Sequence, residues 1–344
     1  MRSAADTLMY QEAHAAAEVV ERQLARNAEP LAELGRALRA KRPRFIVTCA
    51  RGSSDHAAAY AKYVFETRLG RITASASPSI SSIYHADLRL DGALFLTISQ
   101  SGKSPDLVRS AQAAKDAGAQ VLALVNVEDS PLAAVADTVI PLCAGPERSV
   151  AATKSYLASL AAILQLTACW SDSVELHAAL ARLPADLRAG WAMDWSPFGQ
   201  TLREVANLFV VGRGYGFGAA LEAALKFKET CGLHAEAFSA AEVKHGPMAL
   251  VGAEFPVLFF AQDDGTLDST LQVAEEFRAR GARVLVAAPG ARGPDALPMP
   301  AGLPPISTPL VAVQSFYRAA SALALARGYD PDVPPHLRKV TETV

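Results

Sequence analysis

A short turn, Ser99-Gln-Ser-Gly-Lys-Ser-Pro-Asp106, places three serine hydroxyls around one glycine, between an apolar run and an amphipathic segment. A strand, a hydroxyl-rich turn and a helix N-terminus together make an anion site, because unpaired N–H groups and the helix dipole favour negative charge there. The spacing fits neither a nucleotide P-loop nor a dinucleotide loop. We therefore expect the phosphate of a small metabolite to bind here, although the same residue types also serve as ordinary turns and caps.

A second set of ionisable residues follows a glycine-rich segment on one predicted helix. Glu222, Lys226 and Glu229 are spaced i, i+4 and i+7, so they share one helix face. Surface salt bridges have the same spacing, so the spacing alone does not distinguish them from a functional cluster of charges.

Further along, residues 234–247 contain two histidines, two glutamates and a lysine beside an apolar run. Ionisable groups this dense at the end of a strand favour general acid–base chemistry. Glu242 and His245 are spaced like two metal ligands, but no further histidine or cysteine completes a set. We therefore expect no metal.

The elements that would position these groups alternate between strands and helices. Four short, continuous apolar runs predict parallel strands covered on both faces, with amphipathic helices between them in βαβ order. The predicted strands are Phe45–Cys49, Leu94–Ile98, Val121–Val125 and Thr138–Leu142, and the predicted helices include residues 57–69 and 106–117.

The second half of the sequence repeats the first. Arg51 and Gly52, after one predicted strand, recur as Arg213 and Gly214 at an offset of 162 residues, and Gln100 and Asp106 recur as Gln262 and Asp268. Turns, strands and helix starts agree together, which indicates an internal duplication. The second copy of the serine turn contains two aspartates, whose charge repels phosphate, so we expect phosphate to bind to the first copy.

Composition limits the possible partners. The 344 residues suggest two domains, and a net charge of -2 gives no basic surface for nucleic acid or membranes. No run approaches the ~20 apolar residues that a membrane-spanning helix needs, and the N-terminus does not resemble a signal peptide. The four cysteines are widely spaced, which is typical of a reducing compartment. We expect a cytoplasmic protein with no nucleic-acid or membrane partner.

Several stretches together resemble a known family. They are Ser99–Ser104, Val150–Lys154, Ala220–Glu229, His234–Glu236 and Glu242–Pro247. In order and spacing, from about Arg44 to the C-terminus, the chain is similar to the sugar isomerase (SIS) domains of glucosamine-6-phosphate synthase. The resemblance implies an α/β fold of two tandem SIS domains, each a parallel sheet sandwiched between helices, and a ligand such as fructose 6-phosphate or glucosamine 6-phosphate.

The resemblance also implies roles for individual residues. Glu229 matches the base that moves a proton between C1 and C2, and His245 matches a ring-opening group that the partner subunit supplies. Lys226 matches a neighbouring charge, and Lys339 matches a catalytic lysine on the C-terminal tail. The implied substrate-binding residues are Ser53, Ser54, Ser99, Gln100, Ser101 and Ser104 for the phosphate, and Val150, Ala151 and Ala152 for the sugar. A homodimer with shared active sites is implied as well.

Three positions depart from the family pattern and bear on substrate identity. Ala152 stands where the family usually has serine, Lys103 where the synthase has glutamate, and Arg51 where a small residue is usual.

The synthase also carries an N-terminal glutaminase domain, whereas this sequence starts with a short helical arm. We therefore expect the reverse reaction, in which glucosamine 6-phosphate and water give fructose 6-phosphate and ammonia without metal or organic cofactor. The enzymatic alternative is a deaminase, deglycase or isomerase of another phosphosugar, such as galactosamine 6-phosphate or fructosamine 6-phosphate. A non-catalytic sugar-phosphate sensor is the alternative from another class.

The predicted organisation has five parts. They are an N-terminal helical arm (1–40), SIS domain 1 with the phosphate site (41–170), a linker helix (171–199), SIS domain 2 (200–327) and an irregular, proline-rich C-terminal tail (328–344) that contributes to the active site.

Overall fold

The computed structural model describes residues 2–339. The chain divides into two units, each of which is discontinuous in sequence. The first unit contains residues 18–147, 155–181 and 338–339, and the second contains residues 2–17, 148–154 and 182–337. The domain boundaries predicted from the sequence stay a prediction.

Three helices form the N-terminal arm: α1 (Leu8–His14), α2 (Ala16–Arg26) and α3 (Ala28–Lys41). They are separated at Ala15 and Asn27. In α3, Leu31, Leu34 and Leu38 recur at helical spacing and are buried, which explains the apolar periodicity of the arm.

The first unit contains a parallel five-stranded sheet in the order β2-β1-β3-β4-β5. Its strands are β1 (Phe45–Cys49), β2 (Thr73–Ser75), β3 (Ala93–Ser99), β4 (Gln120–Val125) and β5 (Thr138–Pro141). Its helices are α4 (Ser53–Leu69), α5 (Ser79–Ser82), α6 (Pro105–Asp116) and α7 (Pro131–Val135). Every residue of β3 is buried, as the continuous apolar run predicts. Leu107 and Ala111 of α6 pack with Phe95 and Val121 of the sheet in one apolar core.

Three helices follow: α8 (Lys154–Ser171), α9 (Val174–Ala192) and α10 (Ser196–Leu202). The sequence predicts a mostly helical link in this region, and α9 indeed continues through Pro184. Within residues 2–339, no helix combines the length and the apolar character that crossing a membrane requires.

The second unit contains another parallel five-stranded sheet, in the order β7-β6-β8-β9-β10. Its strands are β6 (Asn207–Gly212), β7 (His234–Ser239), β8 (Pro256–Phe260), β9 (Arg283–Pro289) and β10 (Ala296–Met299). Its remaining helices are α11 (Phe217–Cys231), α12 (Leu267–Ala279) and α13 (Thr308–Ala326). Both sheets have the same strand order, so the predicted α/β fold of two tandem parallel sheets is confirmed.

Candidate functional site

In the first unit, the predicted phosphate residues lie beyond the carboxyl ends of two strands, β1 and β3. Ser53 and Ser54 begin α4 directly after β1, and residues 99–104 join β3 to α6. The two strands are adjacent, and the strand order reverses between them. Such a reversal opens a crevice at the carboxyl ends of parallel strands, where ligands bind in open α/β sheets.

The serine turn is shaped by its own hydroxyls. Ser99 Oγ accepts the N–H of Gly102 at 3.0 Å, and Ser101 Oγ accepts the N–H of Lys103 at 3.3 Å. Ser104 is the N-cap residue of α6, but its hydroxyl makes no capping hydrogen bond in the described structure. A hydroxyl that accepts a hydrogen bond still has a proton to donate, so the turn can offer O–H donors to an anion.

Gly102 allows the turn to close tightly. Its φ is +63°, in the left-handed region that favours glycine, and a Cβ there would lie 2.1 Å from Ser130 Oγ. Glycine is therefore required at this position for two reasons: the backbone conformation and the limited space beside Ser130.

Arg51, one of the three departures from the family pattern, is bound to Asp106 at the start of α6. Its Nε and Nη2 donate to one carboxylate oxygen at 3.0 and 2.8 Å. The Asp106 side chain is fully buried, while that of Arg51 is 48% exposed. The other oxygen of Asp106 accepts the N–H of Leu107 at 2.8 Å. The arginine thus compensates a buried charge and joins the loop after β1 to the start of α6.

In the second unit, α11 carries a buried network of charges. Lys226 Nζ lies 2.7 Å from Glu229 Oε2 and 3.1 Å from Glu222 Oε1. Glu222 and Lys226 are completely buried, and Glu229 is 20% exposed. Tyr317, on α13, donates its hydroxyl to Glu222 at 2.8 Å. Helix α11 therefore buries these charges and does not form the surface salt bridges that the same spacing allows.

The two carboxylates determine the charge of Lys226. Burial alone lowers the pKa of a lysine, but Glu222 and Glu229 raise the pKa of Lys226 by more than burial lowers it. Because the raised pKa lies above the ordinary lysine value, the stability that the charge of Lys226 contributes is complete at neutral pH and is lost as the pH rises through that raised pKa. Lys226 is consequently a permanent cation beside the partly exposed Glu229.

His245 lies outside this network. It follows a 3-10 turn, Glu242–Lys244, and is exposed, as is Glu242. Lys244, from the same turn, pairs with Glu276 at 2.8 Å. Among residues 2–339, no three His, Cys, Asp or Glu side chains form a group suited to a metal.

The predicted sugar-facing segment, Val150–Ala152, also belongs to the second unit. Val150 and Ala152 are partly exposed, whereas Ala151 is fully buried. Glu12 of α1 accepts the backbone N–H groups of Arg148 and Ser149, at 2.5 and 3.1 Å, and so holds the start of the segment. The N-terminal arm thereby fixes a loop that lies more than a hundred residues away in sequence.

The predicted tail residue, Lys339, pairs with a buried carboxylate of the first unit. Its Nζ lies 3.1 Å from Glu147 Oε2. The sequence reasoning missed this partner and also Glu12 and Tyr317, because each acts on residues remote in sequence. A glutamate shortly before a predicted helix start was the one sequence signal available for Glu147.

Comparisons with known proteins show which family the chain resembles. The model of the SIS domain matches residues 40–168 and 201–288. Glutamine–fructose-6-phosphate aminotransferase (isomerizing) from Methanothermobacter thermautotrophicus is 36% identical over 304 residues, which cover 86% of this chain and 50% of that protein. The chain thus spans about half the length of the curated relatives it matches.

Two solved structures extend the similarity. A protein from Silicibacter pomeroyi, named as a proposed phosphosugar isomerase, is 43% identical with a TM-score of 0.88, and the match covers 95% of this chain and all of that one. The C-terminal domain of glucosamine-fructose-6-phosphate aminotransferase from Francisella tularensis is 25% identical with a TM-score of 0.84, over 95% of this chain and 98% of that one.

Proposed function

The chain belongs to the SIS domain family, and on that premise we propose that it is a glucosamine-6-phosphate deaminase. It converts glucosamine 6-phosphate and water into fructose 6-phosphate and ammonia. The observation that carries the proposal is the network of α11, in which Lys226 holds the partly exposed carboxylate of Glu229. A base fixed in this way is suited to moving a proton between two adjacent carbons.

The reaction uses each predicted site residue in turn. The serine turn and Ser53 and Ser54 bind the phosphate, residues 150–152 contact the sugar, and His245 opens the ring. Glu229 removes the proton from C2 of the open-chain amino sugar and returns a proton to C1. The resulting ketose imine takes up water at C2, loses ammonia and leaves the ketone.

Lys226 and Lys339 complete the proposed site as cations near the reacting sugar. A homodimer that exchanges His245 between subunits is part of the proposal, and the exposed position of this histidine supports it. The cytoplasm is the proposed compartment, because all four cysteines are free thiols. For Cys49, burial raises the pKa to about 12, so this thiol stays protonated and inert.

The direction of the reaction follows from its reactants. Deamination needs only the amino sugar and water, whereas synthesis needs a source of ammonia. We therefore propose deamination as the direction of the reaction. Isomerisation of a phosphosugar without an amino group is the second candidate, because the Silicibacter pomeroyi protein carries that name and is 43% identical.

The test is to incubate the purified protein with glucosamine 6-phosphate and to measure ammonia and fructose 6-phosphate. We expect turnover by the wild type, and a loss of about 10²–10⁴-fold in kcat for Glu229→Gln, the usual contribution of a general base. Glu204→Gln, at a carboxylate that is 87% exposed, is the matched control and should leave kcat unchanged.

Two outcomes contradict the proposal: no ammonia from the wild type, or undiminished turnover in Glu229→Gln. A wild type that interconverts neutral aldose and ketose phosphates but releases no ammonia supports the second candidate instead. Galactosamine 6-phosphate and fructosamine 6-phosphate in the same assay separate the remaining enzymatic alternatives. Binding of the sugar phosphate without any turnover identifies a sensor.

A further inference from the structure

Glu147 is a buried carboxylate that binds the lysine of the C-terminal tail. Its side chain is fully buried, and the side chain of Lys339 is only 25% exposed. The two groups lie 3.1 Å apart, from Nζ to Oε2. Burying an ionised carboxylate is unfavourable unless a cation and hydrogen bonds compensate the charge. This pair therefore differs from the solvated pairs on the surface, such as Arg26 with Glu128, whose side chains are 56% and 44% exposed.

The carboxylate is held in place by the start of α8. Ser155 donates its backbone N–H to Oε1 at 3.1 Å and its hydroxyl to Oε2 at 2.7 Å. The N-terminus of a helix favours negative charge, and α8 has 18 residues, so its dipole acts on Glu147. The backbone N–H and the hydroxyl of Ser155, together with the helix dipole, thus fix the carboxylate to which Lys339 binds.

We infer that Glu147 is a positioning residue for Lys339. This inference rests on the proposed function, in which Lys339 is an active-site residue. A lysine on an irregular tail has many accessible rotamers, and confining it to one costs side-chain entropy. A carboxylate that is already fixed by a helix selects one position of the ammonium group before the substrate binds. Glu147 acts on the reaction through Lys339 and does not touch the substrate.

The test combines Glu147→Gln, Lys339→Gln and the double variant. We expect each single variant to lower kcat about 10–100-fold with KM for glucosamine 6-phosphate nearly unchanged, the pattern of a group that acts in the transition state. The double variant should be no slower than Lys339→Gln alone, because two residues that act as one unit are not additive. Glu147→Asp, which keeps the charge, should recover part of the rate. Glu128→Gln, in the surface pair, is the matched control and should behave as the wild type.

A second measurement needs no turnover. Trace labelling with acetic anhydride, followed by mass spectrometry of the tail peptide, reports how accessible the Lys339 amine is. We expect Glu147→Gln to label Lys339 several-fold faster than the wild type, with labelling of Lys62, an exposed lysine, unchanged. If the wild type has no activity, the proposed function fails, and the labelling still decides whether Glu147 holds the tail.

Three results overturn the inference. One is unchanged kcat and unchanged labelling in Glu147→Gln. Another is additive losses in the double variant, which would mean that the two residues act independently. The third is a loss of activity that matches a loss of folded protein in circular dichroism at the assay temperature, which would mean that Glu147 is only structural.

Discussion

The two sheet units have the same strand order, yet the turns after β3 and β8 satisfy their hydrogen-bond donors differently. In the second unit, Asp264 accepts the N–H of Thr266 at 2.8 Å and its hydroxyl at 2.6 Å. The same aspartate accepts Gln262 Nε2 at 3.1 Å. A carboxylate of the chain itself thus occupies the donors of this turn. In the first unit, residues 99–104 contain no carboxylate, so we expect the serine hydroxyls there to serve an external anion.

The difference traces to single positions in the repeat. At the offset of 162 residues, Asp264 corresponds to Gly102, and Asp263 corresponds to Ser101. Gly102 has a positive φ, and Ser130 fills the space a side chain would need, so the first turn cannot accommodate an aspartate there. The two turns therefore follow the same backbone plan but differ in charge, and we expect this charge difference to decide which of them binds phosphate.

The largest expected effect comes from placing the negative charge of the second turn in the first turn. In Ser101→Asp, a carboxylate would face the phosphate, and repulsion between like charges should weaken binding. We expect Kd for fructose 6-phosphate and KM for glucosamine 6-phosphate to rise about 100-fold, which corresponds to about 2.7 kcal/mol. Calorimetric titration measures the first quantity and steady-state kinetics the second.

The neutral variant Ser101→Asn separates charge from size and should weaken binding far less. Asp263→Ser, the exchange at the corresponding position of the second turn, should leave both quantities unchanged. If Ser101→Asp binds the sugar phosphate within about threefold of the wild type, about 0.65 kcal/mol, the serine turn is not the phosphate site.

A second contrast concerns the corresponding arginines that follow β1 and β6. Arg51 compensates the fully buried Asp106, whereas its counterpart Arg213 donates to the hydroxyl of Ser269 at 2.9 Å. Arg51→Ala leaves a buried carboxylate short of donors and should lower the free energy of unfolding by about 1–3 kcal/mol. Because Arg51 is half exposed, water moderates the loss, and we expect the lower half of that range. Urea unfolding measures it.

Arg213→Ala is the matched control for that experiment. It removes one hydrogen bond to a neutral hydroxyl and should cost about 0.5–1.5 kcal/mol. If the two variants lose equal free energy of unfolding, with unchanged m-values in urea, the ion pair with Asp106 adds nothing to stability beyond an ordinary hydrogen bond.

Local patterns made most of the fold predictable. The strand at Phe45–Cys49 has the predicted bounds, and β3 extends the predicted strand by one residue at each end. The three-residue strand β2, at Thr73–Ser75, was missed because it is too short and too exposed to show an apolar run. The serine turn was visible because a strand, a turn and a helix start are contiguous in sequence.

The candidate site was predictable only in part. The spacing of Glu222, Lys226 and Glu229 showed a shared face but could not show burial, since exposed and buried faces have the same period. Burial of this face depends on α13, whose Tyr317 lies 95 residues from Glu222 in sequence. Glu147 was missed for the same reason, because 192 residues separate it from Lys339.

The smallest expected effect concerns the second turn and whether two substitutions can give it an anion site. The double exchange Asp263→Ser with Asp264→Gly recreates the serine and glycine of the first turn, and should cost about 1 kcal/mol of stability through the lost hydrogen bonds of Asp264. In a Ser101→Asp background, where the first turn no longer binds phosphate, inorganic phosphate should then stabilise the protein. At a phosphate concentration equal to Kd the gain is about 0.4 kcal/mol. Thermal unfolding with phosphate, against chloride at equal ionic strength, measures it. An absence of any phosphate-dependent shift would mean that features beyond these two positions, such as Ser104 as the N-cap of α6, distinguish the turns.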